Sequence, residues 1–243
     1  MHDSGFRRRV AALAASLLLA VSCAGATARP DGDTAALWGF VRLVPRDGVT
    51  PPRAGGGAYG DRRLRDVTLV DYDRPGFAVV WAEGEPAGGG AARDVALALS
   101  DGPSGVRIDP EHAAVASGAR VVLRNDTRSA HTVSCPEAGL LRRLAPGESA
   151  LLRGEPGSEL GVFLLGEGRA ESRVFVAPGA FAVAREDGRW ELRGLRPGPQ
   201  RLHAWHPRYP SAVRSAEAVR GAATRVDLQL GVDRGEEAAD ARR

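Results

Sequence analysis

Apolar and polar residues alternate in short runs along most of the chain, and Gly, Pro, Asp and Asn separate the runs. Leu37–Val44 (LWGFVRLV) reads as a strand with one buried face. Leu64–Val70 and Phe77–Ala82 predict two strands joined by Asp71-Tyr72-Asp73-Arg74-Pro75-Gly76, whose Asp, Pro and Gly favour a turn. Period two continues through Asp94–Leu99, Val106–Ile108, Ala119–Asn125 and Ala130–Ser134. Further strands are expected near Leu140–Leu144, Ala150–Arg153, Gly161–Leu165 and Arg173–Ala177, then at Ala180–Ala184, Trp190–Arg193, Gln200–His206, Glu217–Val219 and Thr224–Leu230. Outside the N-terminal segment no window holds the helical period over several turns. Many short strands at this spacing predict an all-β sandwich.

The N-terminus departs from this pattern. Arg7–Arg9 precede the apolar run Val10–Val21, which is too short to span a bilayer and reads as the core of an export signal over residues 1–28. Ala20-Val21-Ser22-Cys23 resembles a bacterial lipobox, which would make Cys23 the lipidated first residue. Ala26-Thr27-Ala28 offers the competing A-x-A cleavage. Either way Cys135 is left without an intramolecular partner, because the chain has only 2 cysteines. The fold therefore has to rest on a packed core.

Charge narrows the function classes. Every one of the 33 cations is arginine, and 30 carboxylates are interspersed with them. No patch in which arginines alternate with stacking aromatics is expected, so nucleic acid is not the expected partner. Cleavage after Ala28 would lower the formal charge from +3 to +1.

The segment Val106–Val133 (VRIDPEHAAVASGARVVLRNDTRSAHTV) carries a more specific signal. An apolar strand, Gly118–Asn125, runs into the polar turn Asn125-Asp126-Thr127-Arg128, and a second strand opens on His131. This order resembles the plastocyanin-like (cupredoxin) family, whose pattern GxxVxFxNxDxxxHxV brings a histidine to copper. The resemblance implies a copper ligand at His131 and further Cys, His and Met ligands on one later loop. The corresponding loop, Leu164–Ser172 (LLGEGRAES), supplies none of them, offering only Glu167, Arg169 and Glu171, and Met1 is the only methionine. Blue-copper geometry needs two imidazoles and a thiolate. Cys135 shares the face of His131, but four residues of strand separate them by about 13 Å. The resemblance thus implies the fold with a degenerate ligand set and no bound copper.

A second resemblance lies further on. EDGRWELRGLRPGPQRLHAWHPRYP with VRGAATRVDLQL, spanning Glu186–Leu230, is similar to the carboxypeptidase regulatory-like (transthyretin-like) sandwich. Gly188 and Gly198 stand where hairpin turns need positive φ. Trp190, Leu192, Leu195, Leu202 and Ala204 are expected to point inward. DVTLVDYDRPGFAVVWAEG resembles the first strands of that module. Together the two resemblances imply an arrangement like that of exported methylamine-utilisation-type proteins, with a cupredoxin-like Greek-key sandwich embedded in or packed on a regulatory-like one. The expected organisation is an export signal at 1–28 and a tether with a first strand at 29–63. First regulatory-like strands follow at 64–93, the cupredoxin-like domain at 94–178, the remaining regulatory-like strands at 179–231 and a disordered tail at 232–243.

Other candidate sites are weaker. His203 and His206 in HAWHP face opposite sides of an extended strand, and His206 is expected to close the strand end by bonding to backbone. Cys135 reads as a buried, inert thiol. Trp38 and Trp81 read as core. Trp205 is out of phase with Leu202 and Ala204, so Trp205 and nearby Tyr209 are the candidate glycan-binding aromatics. Ser104 lacks the nucleophile elbow. Asp71 and Asp73 start like a calcium loop that Arg74 and Pro75 spoil. No metalloprotease, phosphate-loop or dinucleotide motif is present. The expectation is a non-enzymatic envelope protein, periplasmic, outer-membrane-anchored or secreted, that binds an unknown protein or glycan. A His131 metal or electron-transfer protein and a Trp205–Tyr209 carbohydrate module are the alternatives.

Overall fold

A computed structural model describes residues 32–45, 72, 74–84, 93–166 and 170–231. The expected export signal with Cys23, the strand Leu64–Val70, the loop Arg46–Gly60, the connector Gly84–Ala92 (all but Gly84), Asp71 and Asp73, Glu167–Arg169 and the tail 232–243 lie outside the described residues.

The architecture is all-β. The strands are β1 (Ala35–Val44), β2 (Val79–Ala82), β3 (Val95–Gly102), β4 (Gly105–Asp109), β5 (His112–Ala116), β6 (Val121–Asn125), β7 (His131–Cys135), β8 (Leu140–Leu144) and β9 (Ser149–Leu152). They continue as β10 (Glu159–Leu165), β11 (Glu171–Ala177), β12 (Phe181–Val183), β13 (Arg189–Leu195), β14 (Gly198–His206), β15 (Tyr209–Ala218), β16 (Ala223–Arg225) and β17 (Leu228–Gly231).

They form two sandwiches. The central one pairs a sheet ordered β5-β11-β10-β7-β8 with one ordered β4-β3-β6-β9. Within it β3 runs parallel to β6 and β5 parallel to β11, while the other pairings are antiparallel, a Greek-key arrangement. Its core includes Leu97, Leu99, Leu123, Val133, Leu144, Leu160 and Val174. The flanking sandwich pairs β12-β2-β14-β15 with β13-β1-β16, and β17 also pairs β1. Its core gathers Leu37, Val41, Val80, Trp190, Leu192, Leu202 and Leu228 from both ends of the chain. Gly188 (φ 81°) and Gly198 (φ 122°) hold the left-handed backbone that their turns require. On the inward face of β1, Gly39 is dictated by close approach: a Cβ there would lie 1.9 Å from the Val226 carbonyl oxygen.

Three sequence expectations need correction. β5 exists where no strand was expected, because its alternation is carried by alanines flanking Val115. Its parallel pairing with β11 compensates for the weak strand preference of alanine. β15 begins at Tyr209 rather than Glu217, its register fixed by β14 despite a mostly polar sequence. Trp38 is only partly buried, since it occupies the outer face of β1, opposite Leu37 and Val41.

A third apolar cluster lies between the sandwiches. Val79, Trp81 and Trp205 of the flanking sandwich meet Phe175 and Ala177 of β11, with Phe77 and Ala114 packed alongside. Phe175 stacks on Trp205 at 4.9 Å and tilts against Trp81, also at 4.9 Å. Trp205 is indeed out of phase with Leu202 and Ala204. The second sandwich covers its face, however, and Trp205 retains only 8% exposure.

Candidate functional site

The turn between β6 and β7 is built around Asn125, which is 0% exposed. Its Nδ2 donates to the carbonyls of Ser129 (2.8 Å) and Leu144 (3.0 Å). Those two acceptors fix the amide orientation. Oδ1 then accepts the Thr127 backbone N–H (3.0 Å) and the Thr127 hydroxyl (2.7 Å). Thr127 has one hydroxyl proton, and Asn125 takes it. The 2.9 Å contact between Thr127 Oγ1 and His131 Nε2 is therefore made by the imidazole N–H donating to the hydroxyl oxygen. His131 is thereby oriented with Nε2–H toward Thr127. The sequence pointed to His131 but not to Thr127, whose side chain orients it; the Asn-Asp-Thr turn was the available signal.

The donor set around His131 does not fit a blue-copper ion. Cys135 lies at the far end of β7 with 0% exposure, and its thiol donates to Glu137 Oε2 at 3.8 Å. The same carboxylate oxygen accepts the Gly161 N–H at 3.1 Å. Burial pushes the Cys135 thiol pKa up, the opposite of what a thiolate ligand needs. On the later loop, Glu171 lies 3.6 Å from Arg173, and Ser172 donates its hydroxyl to the Pro110 carbonyl at 2.7 Å. Glu167 and Arg169 lie outside the described residues. Among the described residues no three His, Cys, Asp or Glu side chains gather as metal ligands.

The histidines of HAWHP serve different ends. His203 stacks on Trp81 at 4.8 Å and its Nε2 meets Glu83 Oε1 at 2.6 Å. His206 closes β14 through backbone, as expected: Nε2–H donates to the Pro75 carbonyl at 3.0 Å and Nδ1 accepts the Arg208 N–H at 3.0 Å. Burial holds its imidazole below the usual histidine range. Tyr209 is half-buried, with its ring 4.7 Å from that of His206. Trp205 and Tyr209 thus form no open platform. The exposed large hydrophobics among the described residues are aliphatic, such as Leu141 and Leu151.

The structure also corrects the expectation that arginines do not alternate with aromatics. On the outer face of β1, Arg189 and Arg225 lie 5.6 and 5.4 Å from the Trp38 ring, and Arg42 and Arg225 lie 5.0 and 5.5 Å from that of Phe40. Three strands far apart in sequence assemble this patch. Arg225 is also held by Asp227 at 2.8 Å, so its charge is balanced locally.

No family model matches the chain, and no curated protein matches it. Among solved structures it is similar to a purple cupredoxin from Nitrosopumilus maritimus, at 16% identity and TM-score 0.30, over 35% of this chain and 100% of that one. It is similar to an M98A mutant of amicyanin with Cu(I), at 14% identity and TM-score 0.30, over 40% of this chain and 97% of that one. Pseudoazurin from Methylobacterium extorquens AM1 is similar at 18% identity and TM-score 0.27, over 35% of this chain and 75% of that one. The all-β sandwich rests on the strand pairing described above rather than on these likenesses.

Proposed function

We propose that this is an exported, non-enzymatic binding or scaffold protein of a bacterial cell envelope, anchored through lipidated Cys23. Its central sandwich is read as a cupredoxin-like framework without copper, and its flanking sandwich as a carboxypeptidase regulatory-like module. The observation that carries the reading is the hydrogen-bonded unit of Asn125, Thr127 and His131. The histidine at the expected ligand position is tied into a buried turn, while the nearest thiol in sequence is held by Glu137. Export and anchoring are supported by the signal-like N-terminus and the Cys23 lipobox. Inward packing of Trp190, Leu192 and Leu195 after the Gly188 turn supports the regulatory-like reading.

Equilibrium dialysis of the full chain against Cu(II), with a visible spectrum, tests the copper-free reading. No stoichiometric copper is expected. An intense thiolate-to-copper band that disappears in His131→Ala would overturn it. One observation favours a second reading, a weak metal site: only Nε2 of half-buried His131 is engaged by Thr127, which leaves Nδ1 as the ring nitrogen that a metal could take. Stoichiometric binding without the thiolate band, lost in His131→Ala, would select it. Mass spectrometry of the mature N-terminus tests the anchor: an acylated Cys23 is expected, and a chain starting at Arg29 would remove it.

A further inference from the structure

At one end of the aromatic seam, two imidazoles from opposite sandwiches approach each other. His112 opens β5 in the central sandwich and stacks on Phe77 at 5.5 Å. His206 closes β14 in the flanking sandwich. The ring of Phe77 also meets Trp205 edge-on at 6.3 Å, so Phe77 is a wedge between the sandwiches. Two residues before it, the Pro75 carbonyl accepts the His206 Nε2–H. The other nitrogen of His206 accepts the Arg208 N–H. A carbonyl can only accept and a backbone N–H can only donate, so this geometry demands neutral imidazole.

We infer that the His206–Pro75–Phe77–His112 joint is an acid-sensitive latch, closed while both imidazoles are neutral and loosened when they take up protons. A proton on His206 Nδ1 would face the Arg208 N–H, donor against donor, and undo the turn that places Tyr209. Among the described residues the charged groups acting on His206 are His112 and Arg208, both cationic once His112 is protonated. Its remaining titratable neighbour among the described residues is the Tyr209 ring, itself close to Tyr72. His112 faces Glu111, at 4.0 Å, together with Glu171, Arg173 and Arg208. The two carboxylates temper charge on His112, whereas among the described residues His206 has no such counterion. Acidification therefore places like charges across the joint.

Burial lowers the pKa of both imidazoles from the ordinary 6.5. The closed state then holds fewer protons than the open one. Its stability is complete above that value and declines as the pH falls below it, toward the lowered pKa values.

The test follows the full chain from about pH 7.5 to 4.5, across the histidine range. Near-ultraviolet circular dichroism reports the seam aromatics, far-ultraviolet the strands, and small-angle X-ray scattering the overall dimensions. The expected result is a reversible loss of near-ultraviolet signal and an increase in radius below about pH 6.5, with strand content retained. In His206→Gln, whose amide can make both hydrogen bonds at any pH, that transition should be lost. A wild-type chain that stays closed throughout, or a His206→Gln chain that opens as the wild type does, would overturn the latch. Should His206→Gln prove unfolded at neutral pH, His112→Phe decides. It keeps the stack on Phe77, and the steepness of the transition should fall from about two protons to about one. Unchanged steepness would refute the inference.

Discussion

Replacing Asn125 with alanine tests whether the β6–β7 turn is held as its hydrogen bonds indicate. The side chain is 0% exposed and makes bonds of 2.7–3.0 Å to Thr127, Ser129 and Leu144. Truncation removes all of them, but the losses are unequal. The Thr127 hydroxyl can turn to the Ser129 carbonyl, already 3.0 Å away, which satisfies both groups. The Thr127 N–H and the Leu144 carbonyl have no such recourse. Each orphaned buried group costs about 1–3 kcal/mol, so the two together put the cost of the substitution at about 2–6 kcal/mol. Asn125→Asp should fare no better at neutral pH, since an acceptor-only carboxylate would face two carbonyls. Urea unfolding should be followed by far-ultraviolet circular dichroism. Tryptophan emission would mislead, because Trp38, Trp81, Trp190 and Trp205, all 4 tryptophans, belong to the flanking sandwich. A cost below about 1 kcal/mol would refute the reasoning, because it would mean that the four bonds had been replaced by water at no loss.

Phe175→Ala, which empties a site 2% exposed between Trp81 and Trp205, should cost about 3–5 kcal/mol. It should also split a single denaturant transition into separate emission and far-ultraviolet transitions; coincident curves would argue against the seam as the coupling element. Gly39→Ala drives a methyl into the Val226 carbonyl and should cost about 3 kcal/mol or more, measured as a lowered urea midpoint. Cys135 should resist iodoacetamide in the native chain at mildly alkaline pH and react at once in denaturant, since burial raises its pKa. Rapid native alkylation would show that β7 opens at its end.

Period two made most of the strands legible, because one face of each meets a core: Leu37 and Val41 on β1, Val121 and Leu123 on β6. It failed where packing is two-sided or register is imposed from outside. β5 carries alanines toward both its own core and the seam, and β15 is positioned by β14 rather than by its own composition. The site was legible as far as local spacing reaches. Asn125 to His131 lie within one turn, so the histidine and its setting could be read together. Trp205 was misread because the same phase rule that turns it away from Leu202 cannot foresee another sandwich arriving on that face. Phe77, His112 and Phe175 come from separate elements, and no linear pattern announces their meeting.

The connectivity explains why so small a seam is enough. β2 and β12 are neighbours in one sheet, with Trp81 opposite Phe181, yet the whole central sandwich lies between them in sequence. The inserted module leaves and re-enters at adjacent points, where a connection between neighbouring strands would otherwise sit. The return is tightly placed: a Cβ on Gly179 would lie 2.4 Å from the Ala82 carbonyl oxygen. Two covalent tethers rooted side by side supply most of the ordering that a free interface would have to achieve by affinity. The aromatic contacts then need only choose among orientations. An interface relieved of that task can rest on a few rings and still hold two sandwiches in register. It can also carry groups such as His206 and His112, whose protonation loosens the joint while the tethers keep the modules together.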